Sequence, residues 1–556
     1  MKHIFSSGRF RLLTAGLLLL AAPIARAQAP VWQMATTAVR EGIAPSSSTV
    51  NATAVDAADN VYIAGEFEGT LRFGTTLLTS APGNNGFVAK WNPVSGSFAW
   101  ASRVGGPVAA VAVAGTGVFI AGGFAGTAAF GGTSLVGSAD GDGFVAKLTD
   151  GGTTANYAWA TRLGGNDADQ ATAIALEGSN VYVAGYFSSA VSLGTTLLIS
   201  AGSRDAFVAQ LTDTGNAGAV AWARQMGGTG TDGAVALGVN GPNIYVAGNA
   251  TGTASFGTAT LTSGTVYPAF AFVAKLTGTG GFGWVQQGIG SVAASALATN
   301  GADVYMAGGF SGTATFGGVA ITGSSADLFV AKLTDAGNTA SFIWAQGAGG
   351  FFNEDVARTV ATRGANVYVG GVFTDRATFG ASQLVGSGND VFVAKLLDSG
   401  ATGAWVWAQQ AGGSTSQYDR ASGLAVSSSG TVYVGGTVGP PASFGGLTIT
   451  GSGPIIGFLA SLTDQTLTGT APAGASERLA LFPNPAHGTA TVQLPAVPGA
   501  ATATLTVIDA LGRPVRTFRA APNALAELDL AGLPAGLYAV RVQAGGSTAT
   551  RRLVVE

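Results

Sequence analysis

The chain has 556 residues, a net charge of −3 and charged side chains at only 10% of positions, so no strong field draws in nucleic acid or an anionic membrane. It has no cysteine, which excludes a disulfide framework and a thiolate metal site. Its 87 glycines suit many short strands joined by tight turns, because glycine supplies the positive φ that such turns need.

Lys2, Arg9 and Arg11 precede the apolar run Leu12–Ala25, and Ala25-Arg26-Ala27 follows it. These are the three parts of a secretory signal peptide, with cleavage expected after Ala27 by way of the small residues Ala25 and Ala27. An uncleaved anchor is the weaker alternative, since a span needs roughly 20 apolar residues. The mean hydropathy of +0.37 otherwise comes from Ala, Val and Leu spread through strand-length segments. No transmembrane segment is expected in the mature chain.

From Gln28 the chain is organised around one recurrent stretch. Val-Tyr-Ile-Ala-Gly begins at Val61, Val-Phe-Ile-Ala-Gly at Val118, Val-Tyr-Val-Ala-Gly at Val181, Ile-Tyr-Val-Ala-Gly at Ile244, Val-Tyr-Met-Ala-Gly at Val304, and Val-Tyr-Val-Gly-Gly at Val367 and again at Val432. A segment that returns roughly every 60 residues marks a repeat architecture. Each repeat holds an alanine-rich run, the Val-Tyr segment, a Phe-Gly step, a Phe-Val-Ala-Lys segment and a tryptophan segment. Four of these have strand length, and the Phe-Gly step reads as an elaborated connection packed on the edge of the unit. Both alternating sets of the Val-Tyr segment are apolar, as in a strand covered on two faces.

Tryptophans follow the fourth segment at Trp100, Trp159, Trp222, Trp284, Trp344 and Trp407, but none follows Phe458. Trp32 is expected to supply the seventh. A ring whose last unit borrows its outer strand from the N-terminus leaves no sheet edge open at closure. The expected fold is therefore all-β, a seven-bladed β-propeller over residues 28–465 closed by its N-terminal strand. On the Val-Tyr-x-Ala-Gly, Phe-Val-Ala-Lys and Trp-Ala pieces this part resembles the propeller repeat family of bacterial secreted proteins abbreviated SBBP. That resemblance implies the fold and no single activity.

Residues 466–478 turn to Thr, Gly, Ala, Pro and Ser and read as a linker. Residues 479–556 hold several alternating segments and predict a small antiparallel β-sandwich. Phe482-Pro483-Asn484-Pro485, Asp509-Ala-Leu-Gly512 and Leu533-Pro-Ala-Gly536-Leu-Tyr538 stand there in order. They resemble the type A C-terminal sorting domain of the type IX secretion system of Bacteroidota. The resemblance implies passage through an outer-membrane translocon that recognises this domain, its removal by a sorting protease, and release or attachment to surface lipopolysaccharide. A purely structural account also serves these residues, with Pro-Asn-Pro as a rigid turn and Gly-Leu-Tyr as a hairpin entry.

His487 is the one histidine after the signal segment, so Ser-His-Asp, Cys-His and His-metal chemistry are excluded from the repeats. Carboxylates remain. Asp142, Asp205, Asp327 and Asp390 stand two residues before the Phe of Phe-Val-Ala, and Asp150, Asp213, Asp335 and Asp398 follow it at loop starts; Asx-type turn bonding explains both sets without catalysis. Asp140-Gly-Asp142 is a sparse candidate for calcium. Asn166-Asp-Ala-Asp169, Asn353-Glu-Asp355 and Asp232 occupy equivalent connections that could gather at one channel mouth. Lys90, Lys147, Lys275, Lys332 and Lys395 end their segments, with Gln210 and Ser461 at the other two positions. Their amines are expected in water, with an anion-binding ring as the sharper alternative. Glycine runs such as Gly278–Gly281 lack Gly-Lys-Ser/Thr and predict no nucleotide site. No catalytic residue, cofactor or resident metal is assigned. The expectation is a secreted or surface-attached, non-enzymatic binding or scaffolding protein with a glycan or protein ligand at the propeller face. The competing classes are a carboxylate-dependent glycosidase or lyase and a structural matrix component.

Overall fold

The computed structural model describes residues 29–41, 47–81, 83, 85–264, 269–350, 354–413, 418–451, 453–464, 466, 480–494, 502–509, 513–521, 524–544 and 547–556. Ala25, Ala27, Asn353, Gly512 and nearly all of the expected linker lie outside them. The chain is all-β and divides into two compact units, Met1–Ser427 with Val432–Leu462, and Ser428–Thr431 with Thr463–Glu556.

Among the described residues of the first unit, seven successive sets of four antiparallel strands can be traced, some of them joined into sheets of six or seven strands. Repeat 2 is typical, with strands Val108–Ala114, Gly117–Phe124, Asp142–Asp150 and Ala155–Leu163 paired in sequence. Its Val-Tyr-type strand and its Phe-Val-Ala strand are buried on both faces, as their uninterrupted apolar runs require. In repeats 4 and 5 one strand, Phe282–Asn300, serves as the last strand of one and the first of the next.

The Phe-Gly step is a two-stranded hairpin in its own right. Thr127–Phe130 pairs with Thr133–Val136 and Ala190–Leu193 with Thr196–Ile199, and Gly131 turns the corner at φ 61°, a conformation open to glycine at no steric cost. The phenylalanine before it stacks on that of the third strand, as for Phe130 on Phe144 at 4.8 Å and Phe316 on Phe329 at 4.8 Å.

The N-terminal strand Trp32–Thr37 pairs antiparallel with Ile456–Thr463 of repeat 7, Thr37 opposite Phe458 and Trp32 opposite Leu462. The strand expected from the tryptophan count is there, but its register differs. In six repeats the tryptophan lies opposite the residue that ends Phe-Val-Ala-Lys, as Trp159 lies opposite Lys147. In repeat 7 that place opposite Ser461 belongs to Met34. Trp32 fills the slot beyond the bulge, held elsewhere by Phe98, Tyr157, Val220, Phe282, Phe342 and Trp405. It packs edge-on against Phe444 at 5.2 Å, as Phe98 does against Phe73 at 5.2 Å.

The second unit is a β-sandwich. A three-stranded sheet of Ala480–Phe482, Thr489–Gln493 and Leu525–Asp529 and a four-stranded sheet of Pro514–Ala520, Ala503–Ile508, Gly536–Ala544 and Ser547–Val555 enclose Val492, Leu505, Val507, Leu528, Val540 and Leu553.

Candidate functional site at the repeat junctions

The chemistry-bearing side chains of the first unit collect where one repeat meets the next. Lys332, at the end of Phe-Val-Ala-Lys in repeat 5, lies 2.6 Å from Asp398 of repeat 6 and 2.8 Å from Asp303. The same Asp398 accepts Trp344 Nε1–H at 3.0 Å and Tyr305 O–H at 2.6 Å. Lys90, Trp100 and Tyr62 meet Asp150 in this way, as do Lys275, Trp284 and Tyr245 at Asp335. Lys147 and Trp159 meet Asp213, with Phe119 in the tyrosine position. The turn bonding expected of these aspartates is also present, for example Gly152 N–H to Asp150 Oδ1 at 2.8 Å and Gly400 N–H to Asp398 Oδ1 at 2.9 Å.

The lysine amines, however, do not stand in water. Lys90, Lys275, Lys332 and Lys395 are buried. Burial pushes the carboxyls of Asp150, Asp213, Asp335 and Asp398 upward, but the lysine, tryptophan and backbone donors, joined by a tyrosine at all but Asp213, outweigh it and hold them below the usual range. A buried ion pair of this kind locks an interface and leaves no amine to recognise an anionic ligand. At the junction of repeats 3 and 4 both charges are missing together. Gln210 replaces the lysine, Gly278 stands where the aspartate would, and Trp222 Nε1–H donates to Gln210 Oε1 and to Gly278 O at 3.1 Å.

The second set of aspartates forms pairs at four junctions. Asp142, Asp205, Asp327 and Asp390 each face, across a Gly-Gly doublet, the aspartate before the next repeat: Asp169, Asp232, Asp355 and Asp419. All eight are buried. A Cβ on Gly349 would stand 2.1 Å from Asp327 Oδ1 and 2.9 Å from Asp355 Oδ2, and one on Gly412 would stand 2.0 Å from Asp390 Oδ1 and 2.8 Å from Asp419 Oδ2. The downstream partner accepts two amides, as Asp355 does from Thr374 at 2.9 Å and Gly350 at 2.8 Å and Asp232 does from Thr251 at 2.9 Å and Gly228 at 2.6 Å. Burial pushes Asp169 up to about 6 and Asp355 up to about 7. Asp169, Asp232 and Asp355 are thus each paired with the aspartate upstream of them. Asp140 is exposed while Asp142 is buried, and among the described residues no three acidic or histidine groups cluster in metal-binding fashion.

In the second unit the segment Pro483-Asn484-Pro485 is exposed and fastened to the last strand, with Val554 N–H donating to Asn484 Oδ1 at 2.8 Å and Ala486 N–H to Val554 O at 2.9 Å. Asp509 accepts Arg513 Nε–H at 2.8 Å. Tyr538, opening the strand at Gly536, is buried and donates to Pro534 O at 2.9 Å. The turn and hairpin-entry roles of these motifs are therefore real.

Residues 480–556 match the family described as "Secretion system C-terminal sorting domain". A tail of this family implies interaction with the type IX secretion machinery and export to the cell surface or the medium. No curated protein matches the chain. Among solved structures, it is similar to Saccharomyces cerevisiae Sqt1 at 8% identity, covering 78% of this chain and 100% of that one, with a TM-score of 0.34. It is also similar to Drosophila Semaphorin 2a at 6% identity, covering 95% and 99%, with a TM-score of 0.36. No helix of the described residues is long and apolar enough to cross a membrane.

Proposed function

We propose that the first unit is a closed seven-bladed propeller of the SBBP kind, exported after signal-peptide cleavage, and that it binds or scaffolds at the cell envelope without catalysing a reaction. What supports closure is a circuit of hydrogen bonds between neighbouring repeats. Asn51 donates to Val108 O, Thr161 to Gly218 O, Thr172 to Ala234 O, Asn240 to Gly301 O, Thr362 to Thr299 O and Arg363 to Ser427 O, and Gly457 N–H returns to Ser48 Oγ in repeat 1. The observation that carries the non-enzymatic reading is where the charges go: lysines and aspartates are spent on the junctions, and the close carboxylates are occupied by backbone amides. A glycosidase needs two carboxyls roughly 5–10 Å apart with room for a sugar between them. The remaining ligand surface is the loop face, where connections from several blades converge, and a glycan or a protein is the ligand class it suits. The sorting protease would then remove the second unit, and the mature chain is released or held on lipopolysaccharide.

Two experiments test the two halves. Deleting residues 479–556 is expected to trap the chain in the periplasm, and normal export of the shortened chain refutes the sorting assignment. A glycan array probed with residues 28–465 is expected to give saturable binding to a narrow glycan class if the face is a lectin; binding to none leaves the scaffold role. Release of reducing ends from any arrayed glycan would overturn the non-enzymatic reading.

A further inference from the structure

The four carboxyl pairs differ in what answers the upstream aspartate. The residue opposite the phenylalanine of the third strand is Arg162, Gln225, Gly347 and Gln410 in repeats 2, 3, 5 and 6. Arg162 Nη2–H donates to Asp142 Oδ1 at 3.0 Å, which sets one positive charge against that pair. Gln225 Nε2–H donates to Asp205. Gln410 is turned to the backbone of Val385, and Gly347 has no side chain to offer. Accordingly Asp327, only 7% exposed, has an Oδ1 with no partner among the described residues, while its Oδ2 accepts Ser324 N–H at 3.0 Å. Asp355 already accepts two amides. Two bare carboxylates facing each other here would be an uncompensated buried charge.

We propose that Asp327 is a neutral acid in the folded chain, its proton on Oδ1 donated to Asp355 Oδ2, and that the junction of repeats 5 and 6 is a proton-held latch that loosens as pH rises. The charged groups nearby are engaged elsewhere: Glu354 with Arg358 at 3.5 Å, the Arg376 guanidinium with Gln383, and Asp375 with Gly388 N–H. No cation among the described residues forms an ion pair with either carboxyl. Burial and then the facing Asp327 push the Asp355 carboxyl up, and burial raises Asp327 as well. The folded pair binds a proton that the unfolded chain releases near the ordinary value of 3.8. Its contribution is therefore complete below that value and is lost as pH rises through the raised value of the folded pair. A divalent cation is the other way to neutralise the pair. Against it, three of the four oxygens already accept amides, and two carboxylates alone are a poor calcium shell.

Thermal unfolding of the full chain, followed by tryptophan fluorescence at pH 5.5 and pH 8.5 with chelator present, tests the latch. All nine tryptophans lie in the first unit, so the signal reports on it alone. Asp327→Asn keeps an oxygen for Ser324 and puts an N–H where the proton is inferred. It is expected to raise Tm at pH 8.5 by about 2 °C or more and to shrink the fall in Tm between the two pH values. Gly347→Gln, which copies Gln225 and whose Cβ meets nothing closer than Phe310 at 3.3 Å, is expected to do the same. Asp142→Asn, which leaves Arg162 without its carboxylate partner, is expected to lower Tm at both pH values. An equal loss at both pH values for Asp327→Asn and Gly347→Gln, or an unchanged pH dependence in both, overturns the proposal. So does a rise in the wild-type Tm at pH 8.5 on adding millimolar calcium that Asp327→Asn abolishes.

Discussion

At the scale of single residues, the junction clusters make sharp demands. Lys332→Met removes the cation paired with Asp398 and leaves a buried carboxylate that still faces Trp344 and Tyr305. Breaking one side of such a pair costs about 3–5 kcal/mol, measurable as a shift of the urea midpoint. The neutral junction gives the converse experiment. Gln210→Lys alone buries a charge opposite Gly278 and is expected to destabilise. Adding Gly278→Asp, whose Cβ meets nothing closer than Pro242 O at 3.7 Å and then Tyr182 Oη at 3.8 Å, is expected to restore stability with a coupling of about 0.5–3 kcal/mol. The four lysine-bound aspartates set the acid limit. Their carboxyls are held below the ordinary 3.8, so their contribution is present above that value and is lost as pH falls through the lower folded one. Together with the carboxyl pairs, which weaken as pH rises, this predicts a Tm maximum in mild acid; a maximum above pH 8 would contradict it. The sequence places each lysine and aspartate but not their meeting, because the partners are 60 or 66 residues apart. One signal was available. The single repeat among the first six that loses its lysine, at Gln210, is followed by one that also lacks the aspartate, at Gly278.

At the scale of elements, the Phe-Gly hairpin is the most stereotyped piece. Gly131 sits at φ 61°, and a Cβ there would stand 2.9 Å from Tyr157. Gly131→Ala is expected to cost about 1–2 kcal/mol for the left-handed backbone alone, more with the clash, whereas Gly132→Ala meets nothing within 4 Å and is expected to be nearly neutral. Equal losses at the two positions would show that the turn geometry is not what matters. The hairpin was legible as a connection but not as paired strands, since its four-residue arms are too short for periodicity to speak. The N-terminal strand shows the complementary limit. Counting tryptophans located it, yet its register follows from a bulge and from the ring packing of Trp32 on Phe444, neither of which a count can see.

At the scale of the whole molecule, the strand Trp32–Thr37 covers the edge of Ile456–Thr463. A chain lacking residues 29–38 exposes that edge and is expected to lose cooperative unfolding and to self-associate; unfolding at the full-length temperature would sink the closed-ring reading. The sequence by itself determined the all-β class, the repeat boundaries, the borrowed outer strand and the sorting tail, because strand length, two-sided burial and turn glycines are local properties written every few residues. Only the tertiary structure decided that the lysines are structural, that eight aspartates face one another in pairs, and that Met34 rather than Trp32 takes the tryptophan place. Those facts depend on which side chains of different repeats share one dry interface, and the free energy of a buried charge is fixed by its neighbours in space, not by its neighbours in the chain.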